Sequence, residues 1–436
     1  MAFRTFESVS ISRRSLFRSS AYLAAGGAMA TLPFGRELLA SDAAASWPAV
    51  TAKINEYVAA RKIPNMVAAF GWGDEEPQAI SRGKLRFGQA PQADMDSLYR
   101  VYSMTKPITG MAAMMLISDG KLGLDQPIAD FIPGFANMRV LKKADGPLDD
   151  TVPADRPITA RHLMTHTAGL GYDIVTKGPL LDAYRKNGIV GGQVSRIPLP
   201  GQSRTEPAPG LAAFADRVAK LPLIAQPGTE WSYSIGLDVL GRVIEVASGQ
   251  SFESFLQDRM FGPAGMTSTF FRVPESEVDR FTDNYGILNG MPLPMDPAKA
   301  SIYLDKPPIH WGGSGLVMSP RDYDRFLKMV LGYGKIDGKR VMSEPAVRVG
   351  TSNLLPKAVN VDKTWIAGQG FGAGGRVVGQ TYGWGGAAGT LGSVDFGSGL
   401  RAGLFVQYMP SDAFPIRDEF LAALEADMKA MKGKAI

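Results

Sequence analysis

The 436-residue chain has no cysteine and only three histidines, His162, His166 and His310. Disulfides, thiolate metal sites and a cysteine nucleophile are therefore excluded, and three imidazoles leave few ligands for a histidine-based zinc centre. Charge of one sign is scarce too. Lysine and arginine number 47 against 42 acidic residues, a net charge of +5. It falls to +3 without residues 1–45, which hold five arginines and three acidic residues. So small and dispersed an excess gives no footprint for nucleic acid. The apolar stretch near the N-terminus, "AYLAAGGAMATLPF", is too short and too rich in Gly and Ala for a stable membrane span. Two hydrolase signatures are also missing. No serine is flanked as G-x-S-x-G; the nearest, Gly312-Gly313-Ser314-Gly315-Leu316, fails at its last position, so a nucleophile elbow is unsupported. "HLMTH" spaces His162 and His166 four apart on a helix, with no glutamate after the first histidine, where a zinc hydrolase needs it. These two histidines are expected to brace a helix, and His310 falls in a loop.

What remains is an ordinary globular composition, 45% apolar and 20% charged. The length exceeds the usual single-core limit and predicts two subdomains or one composite domain. Residues 1–45 read as an address. "SISRRSLFRSS" pairs Arg13 with Arg14, an apolar run follows, and "ASDAAAS" supplies small residues for cleavage. That layout predicts twin-arginine-type export to the periplasm or cell surface, with the export machinery as a partner.

Strand-like segments lie near both ends of the rest: "NMVAAFGWG" and "SLYRVYS" early, "GRVVGQTYGWGG", "GTLGSVDFGSG" and "LRAGLFVQYMP" late. Helical patterns fill the middle, and "IRDEFLAALEADMKAM" closes the chain as a helix. The expected fold class is α+β, an antiparallel sheet flanked by helices. Residues 46–130 and 310–436 form the sheet domain, and 131–309 a mainly helical inserted domain with long loops. Residues 171–221, Pro- and Gly-rich with weak periodicity, read as one such loop.

The stretch "YRVYSMTKPITG" carries the chemistry. Ser103 and Lys106 are three apart, so on a helix they share a face and the amine reaches the hydroxyl. Pro107 is tolerated only in a first turn, which places Ser103 at the N-cap, the positive end of the helix, where a developing oxyanion is stabilised. Lys106 lies among Met104, Ile108 and Met111, where burial disfavours a charged amine. Such a pair needs a second proton carrier and an oxyanion donor pair. "PGTEWSYSIGLDVLG" offers Tyr233 in a turn entering a helix, and "YGWGGAAGT" offers a glycine strand able to bring a backbone N–H to a carbonyl.

"SMTK", "YSI" and "WGG" occur in the order and setting of the three motifs of the serine β-lactamase and penicillin-binding-protein superfamily. From about residue 50 to the C-terminus the chain resembles its class C β-lactamase-like branch, and within that the family VIII carboxylesterases. "RHLMTHTAGL", "PGTEWSYS", "GPAGMTST" and "GGSGLVMSPRDYDRF" look like structural signatures of the branch. The resemblance implies a β-lactamase/DD-peptidase-like fold. It implies Ser103 as the acylated nucleophile, Lys106 as the group taking its proton, and Tyr233 as base or proton conduit. The backbone N–H groups of Ser103 and Ala387 would form the oxyanion hole, and Ile235, Trp384, Gly385 and Gly386 would contact substrate.

Two positions depart from the lactam-cleaving pattern. Ile235 stands where β-lactamases usually carry asparagine, and Trp384 where enzymes that bind a lactam's carboxylate carry lysine. An indole gives apolar area and one donor in place of a cation, so both changes favour a neutral ester over an anionic lactam. The expected activity is a carboxylesterase acting on small or medium esters, with no cofactor or metal, since protein groups suffice. Its rivals are a weak β-lactamase, a D-amino-acid peptidase or amide hydrolase, an acyltransferase, and a penicillin-binding receptor or cell-wall binder without turnover.

Overall fold

The computed structural model describes residues 43–197 and 205–434. The arginine pair and apolar run of the expected export leader lie outside them. Helix α1 (Pro48–Ala59) opens with proline in its first turn, where no hydrogen bond is lost. It leads into the antiparallel hairpin β1 (Asn65–Trp72) and β2 (Gln78–Gly83). Helix α2 (Thr105–Ser118) follows, then α3 (Gly236–Ser248) and α4 (Pro320–Leu331). The chain closes with strands β3 (Gly370–Phe371), β4 (Arg376–Val378), β5 (Thr381–Gly385), β6 (Leu391–Asp395) and β7 (Leu400–Phe405), then helix α5 (Ile416–Lys434).

The seven strands form one antiparallel sheet in the order β3-β4-β5-β6-β7-β1-β2. The junction of the two chain ends is β7 against β1, with Val67 opposite Phe405. After Asn65, strand β1 has no polar side chain because both its faces are covered. Met66, Ala68 and Phe70 pack with Ile54 of α1 and Phe420 of α5. Val67 and Ala69 join a larger core that runs on through Met111 of α2 to Val243 of α3. Twelve of the fourteen residues of α2 are buried, as its lack of a polar face requires.

Three local expectations change. The strand expected over 97–103 is only Tyr99–Arg100, and a 3₁₀ turn, Tyr102–Met104, intervenes before α2. Ser103 therefore sits in that turn and Met104 at the N-cap position, while Pro107 is the third helical residue, still within the turn where its missing N–H costs nothing. Residues 171–221 are not one long loop: they contain helices Pro179–Lys186 and Gly210–Val218, too short for their periodicity to stand out. His162 and His166 do not share a helix either. The segment Ala160–Met164 ends before His166, whose φ is +58°.

Candidate active site

Ser103 is placed by the turn around it. Tyr102, just before it, has φ +43°, a conformation that costs an ordinary residue roughly 1 kcal/mol or more. Its surroundings hold it there. Asn284 Nδ2 donates to the Tyr102 hydroxyl at 3.2 Å, and Tyr303 packs edge-on against its ring. Two residues earlier, the buried Arg100 donates to Asp296 at 2.7 Å, to the Thr282 carbonyl at 2.7 Å and to Ser301 Oγ at 3.1 Å. On the other side Gly386 presses on the turn: a Cβ there would overlap the Val101 carbonyl and Thr390 Oγ1. Only glycine allows that approach.

From this fixed point the helix carries Lys106 inward. Its Nζ donates to Ser103 Oγ at 3.1 Å and to the Gly313 carbonyl at 2.7 Å, 4.6 Å from the centre of the Tyr233 ring. Tyr233 OH donates to the same Ser103 oxygen at 2.8 Å and accepts from Trp384 Nε1 at 3.3 Å. Ser103 Oγ thus lies between an amine and a phenol, each near enough to take its proton and return it to a leaving group.

The tyrosine is positioned in turn by His166. The Ser234 backbone N–H donates to His166 Nδ1 at 3.1 Å, which leaves the imidazole proton on Nε2. Burial, with Lys106 nearby, holds this histidine well below its usual range, so it stays neutral. Its ring lies 4.7 Å from that of Tyr233. His162 is also neutral, lowered to about 4 by burial, and its ring nitrogen accepts from the Thr159 backbone N–H to close a helix cap. Both imidazoles brace the chain, and among the described residues no cluster of His, Asp or Glu could hold a metal ion.

The sequence-predicted residues are brought together with one exception. Ser103, Tyr233, Trp384, Gly385, Gly386 and Ala387 line one cleft of about 190 Å³, with Lys106 behind them. Ile235 does not. It is 1% exposed at the N-cap of α3, its N–H donating to the Gly171 carbonyl, so its apolar side chain belongs to the core.

Three charged groups near the cleft escaped the sequence reading. Asp238, on the buried face of α3, accepts from the N–H of Gly313 at 2.7 Å, the residue whose carbonyl accepts from Lys106. Burial raises its carboxyl to about 7, against the pull of Lys106. A lone carboxylate within the apolar run "GLDVLG" was the available signal. Arg376 and Arg417 also line the cleft. Arg417 is the second residue of α5, at a helix end that repels cations.

The family described as Beta-lactamase matches residues 50–427. The chain belongs to it. The protein Rv1367c of Mycobacterium tuberculosis H37Rv is 34% identical over 333 residues, covering 72% of this chain and 78% of that protein. Esterase EstB of Burkholderia gladioli is 33% identical over 201 residues, covering 46% of this chain and 44% of EstB. Among solved structures, EstCE1, titled a hydrolase with promiscuous acyltransferase activity, superposes with a TM-score of 0.69 at 23% identity, covering 87% of this chain and all of that one. The protein is thus a β-lactamase-fold serine hydrolase, and the expected fold holds.

Proposed function

We propose that this hydrolase is a carboxylesterase. Ser103 Oγ attacks the ester carbonyl while its proton passes to the Lys106–Tyr233 pair. The tetrahedral oxyanion faces the N–H groups of Ser103 and Ala387. Collapse breaks the C–O bond, and the proton goes to the departing alkoxide as an alcohol. Water, giving its proton to the same pair, then attacks the acyl-enzyme and releases the carboxylic acid and Ser103. Which of Lys106 and Tyr233 holds the proton at each point is a property of the coupled pair.

The observation that carries this reading is Trp384. Its indole stands beside the nucleophile and spends its single donor on Tyr233, so it orders the proton carrier and offers substrate an apolar wall. The partial likeness to EstB supports the same reaction. The purified protein is expected to turn over p-nitrophenyl esters from acetate to octanoate, with little or no hydrolysis of a chromogenic cephalosporin. Ser103→Ala should abolish both acylation and turnover. Cephalosporin hydrolysis without ester turnover, or activity surviving in that variant, would overturn the proposal.

A further inference from the structure

Large exposed apolar side chains are scarce on this protein and gather in one place. Among the described residues seven are exposed, and three of them, Leu288, Met291 and Leu293, fall within six positions at 49%, 60% and 48% exposure. They belong to a hairpin of strands Asn284–Leu288 and Met291–Asp296, and no charged residue occurs between Asp283 and Asp296. Its turn, Asn289-Gly290, has φ of +52° and +79°, as a type I′ connection requires, so the tip is rigid. The register sets Leu288 opposite Met291 and Leu293 opposite Gly286, so all three side chains leave the same face. Ile287 leaves the other face and packs, with Phe414, against the cluster of Tyr57 and Tyr408. One face of the hairpin is thus anchored on the core while the other presents an apolar patch to solvent.

The surroundings narrow what covers that patch. Met291–Asp296 is the outer strand of its sheet and carries Pro292 and Pro294, which take donors from the free edge, so a further strand cannot pair regularly there. Three side chains also cover far less than the roughly 800 Å² per partner of a stable protein interface. Cations stand at the foot of the hairpin. Phe87 packs edge-on against Tyr285 and holds the Arg61 guanidinium 5.4 Å from its ring centre. Lys62 Nζ lies 4.9 Å from the centre of the Tyr57 ring and 6.0 Å from that of Phe414. Among the described residues neither cation forms a salt bridge, because the nearby Glu56 and Asp283 are taken by Lys53 and Arg86. Asp412 and Asp418 face the cleft and its arginines. A second copy of this face would set the cations against one another. An apolar tip with unpaired cations behind it instead matches the layers of an anionic bilayer, acyl chains beneath charged headgroups.

We propose that this hairpin docks the protein on an anionic lipid surface, with Leu288, Met291 and Leu293 among the acyl chains and Arg61 and Lys62 at the headgroups. The docking goes beyond the esterase reading and does not depend on it. It does bear on the cleft. Tyr408 and Met409 pair with Tyr285 and Gly286 of the hairpin, and Ser411, Asp412 and Phe414, a few residues on, line the cleft that contains Ser103. A docked protein holds that cleft beside the bilayer, where apolar esters partition.

Co-sedimentation with vesicles tests the docking without any substrate. The purified protein is expected to bind vesicles of equimolar phosphatidylglycerol and phosphatidylcholine, and to bind pure phosphatidylcholine about tenfold more weakly or worse. About 0.5 M NaCl should erase most of that difference. Replacing both Leu288→Ser and Met291→Ser should weaken binding to either vesicle by about tenfold or more. Arg61→Gln and Lys62→Gln should each cost about fivefold on the anionic vesicles and leave phosphatidylcholine binding in place. Residues 1–42 are common to all these proteins, so the differences report the hairpin and its cations. The substituted side chains lie outside the proposed catalytic groups, so turnover of a water-soluble p-nitrophenyl ester and the urea midpoint should match the native protein. Should the double variant fail to fold, Leu293→Ser takes its place. No binding to the anionic vesicles, binding indifferent to the hairpin substitutions, or equal binding to both vesicles overturns the proposal. A dimer in sedimentation velocity that the hairpin substitutions dissolve, with no vesicle binding, assigns the face to a second copy and overturns it as well. If no ester is turned over, the esterase reading fails and the vesicle result still decides the docking.

Discussion

Removing one oxygen tests the proposed proton path most directly. Tyr233→Phe keeps a ring packed 4.7 Å from His166, 5.1 Å from Trp365 and 5.4 Å from Tyr172, so the local core should survive. What goes is the hydroxyl that donates to Ser103 Oγ and accepts from Trp384 Nε1. In the ground state these are two hydrogen bonds worth about 1 kcal/mol each, plus about 1–3 kcal/mol if the indole N–H is left dry. Stability should fall by about that much and no more. In the transition state the same oxygen carries or relays a proton, a contribution of about 10²–10⁴ in rate, or about 3–5 kcal/mol. Activity is therefore expected to fall far more than stability. Pre-steady-state release of p-nitrophenol from a fast ester separates acylation from deacylation, and both steps should slow. Urea unfolding of the same preparation measures the structural part. If Tyr233→Phe retains kcat/KM within about threefold of the native enzyme, Lys106 suffices alone and the shared role given to the phenol is wrong.

Asp238 and Gly386 offer two further checks. Asp238 has its carboxyl raised from 3.8 to about 7, chiefly by burial, so the folded state binds this proton more tightly than the unfolded chain does. The resulting penalty is absent below about pH 4, grows as pH rises and is complete above about pH 7, on the order of a few kcal/mol. Asp238→Asn keeps an acceptor for the Gly313 N–H and cannot ionise. In urea unfolding it should gain stability over the native protein at pH 8 relative to pH 4, and an equal difference at both pH values would refute the argument. Gly386→Ala places a methyl against the Val101 carbonyl and Thr390 Oγ1. It should displace the Ala387 N–H from Ser103 and cost about 10² in kcat; a kcat within about threefold of native would show that the approach is not tight.

How much could be read before the structure depended on whether a feature was local. The S-x-x-K spacing, the proline and the apolar circumference of α2 are local, and they placed Ser103 and Lys106 correctly to within the pitch of one turn. The residual error, a 3₁₀ turn in place of an N-cap, arose because Tyr102 takes a positive φ. Nothing in "RVYSM" encodes that; distant partners such as Asn284 and Tyr303 hold it. Ile235 was misplaced for the opposite reason. It was assigned by its position in a motif, whereas its apolar side chain followed its chemistry into the core. Arg376 and Arg417 were invisible in principle: they lie 41 positions apart, and only the β4–β5 register and the docking of α5 bring them to one cleft. Asp238 was legible and overlooked, since a carboxylate inside an apolar helical run requires an explanation wherever it occurs.

The restraints on its reacting groups let this site work without large rearrangement. Ser103 is fixed by a turn that the buried Arg100–Asp296 pair locks from one side and Gly386 from the other. Lys106 is tied to Gly313, whose N–H is tied to Asp238 on α3. Tyr233 is held through Ser234 and His166, and by Trp384 from the sheet. Each reacting group is thus restrained by a different element, and none depends on substrate to bring it within hydrogen-bond reach of Ser103 Oγ. Catalytic groups held in this way have already met the cost of orientation during folding.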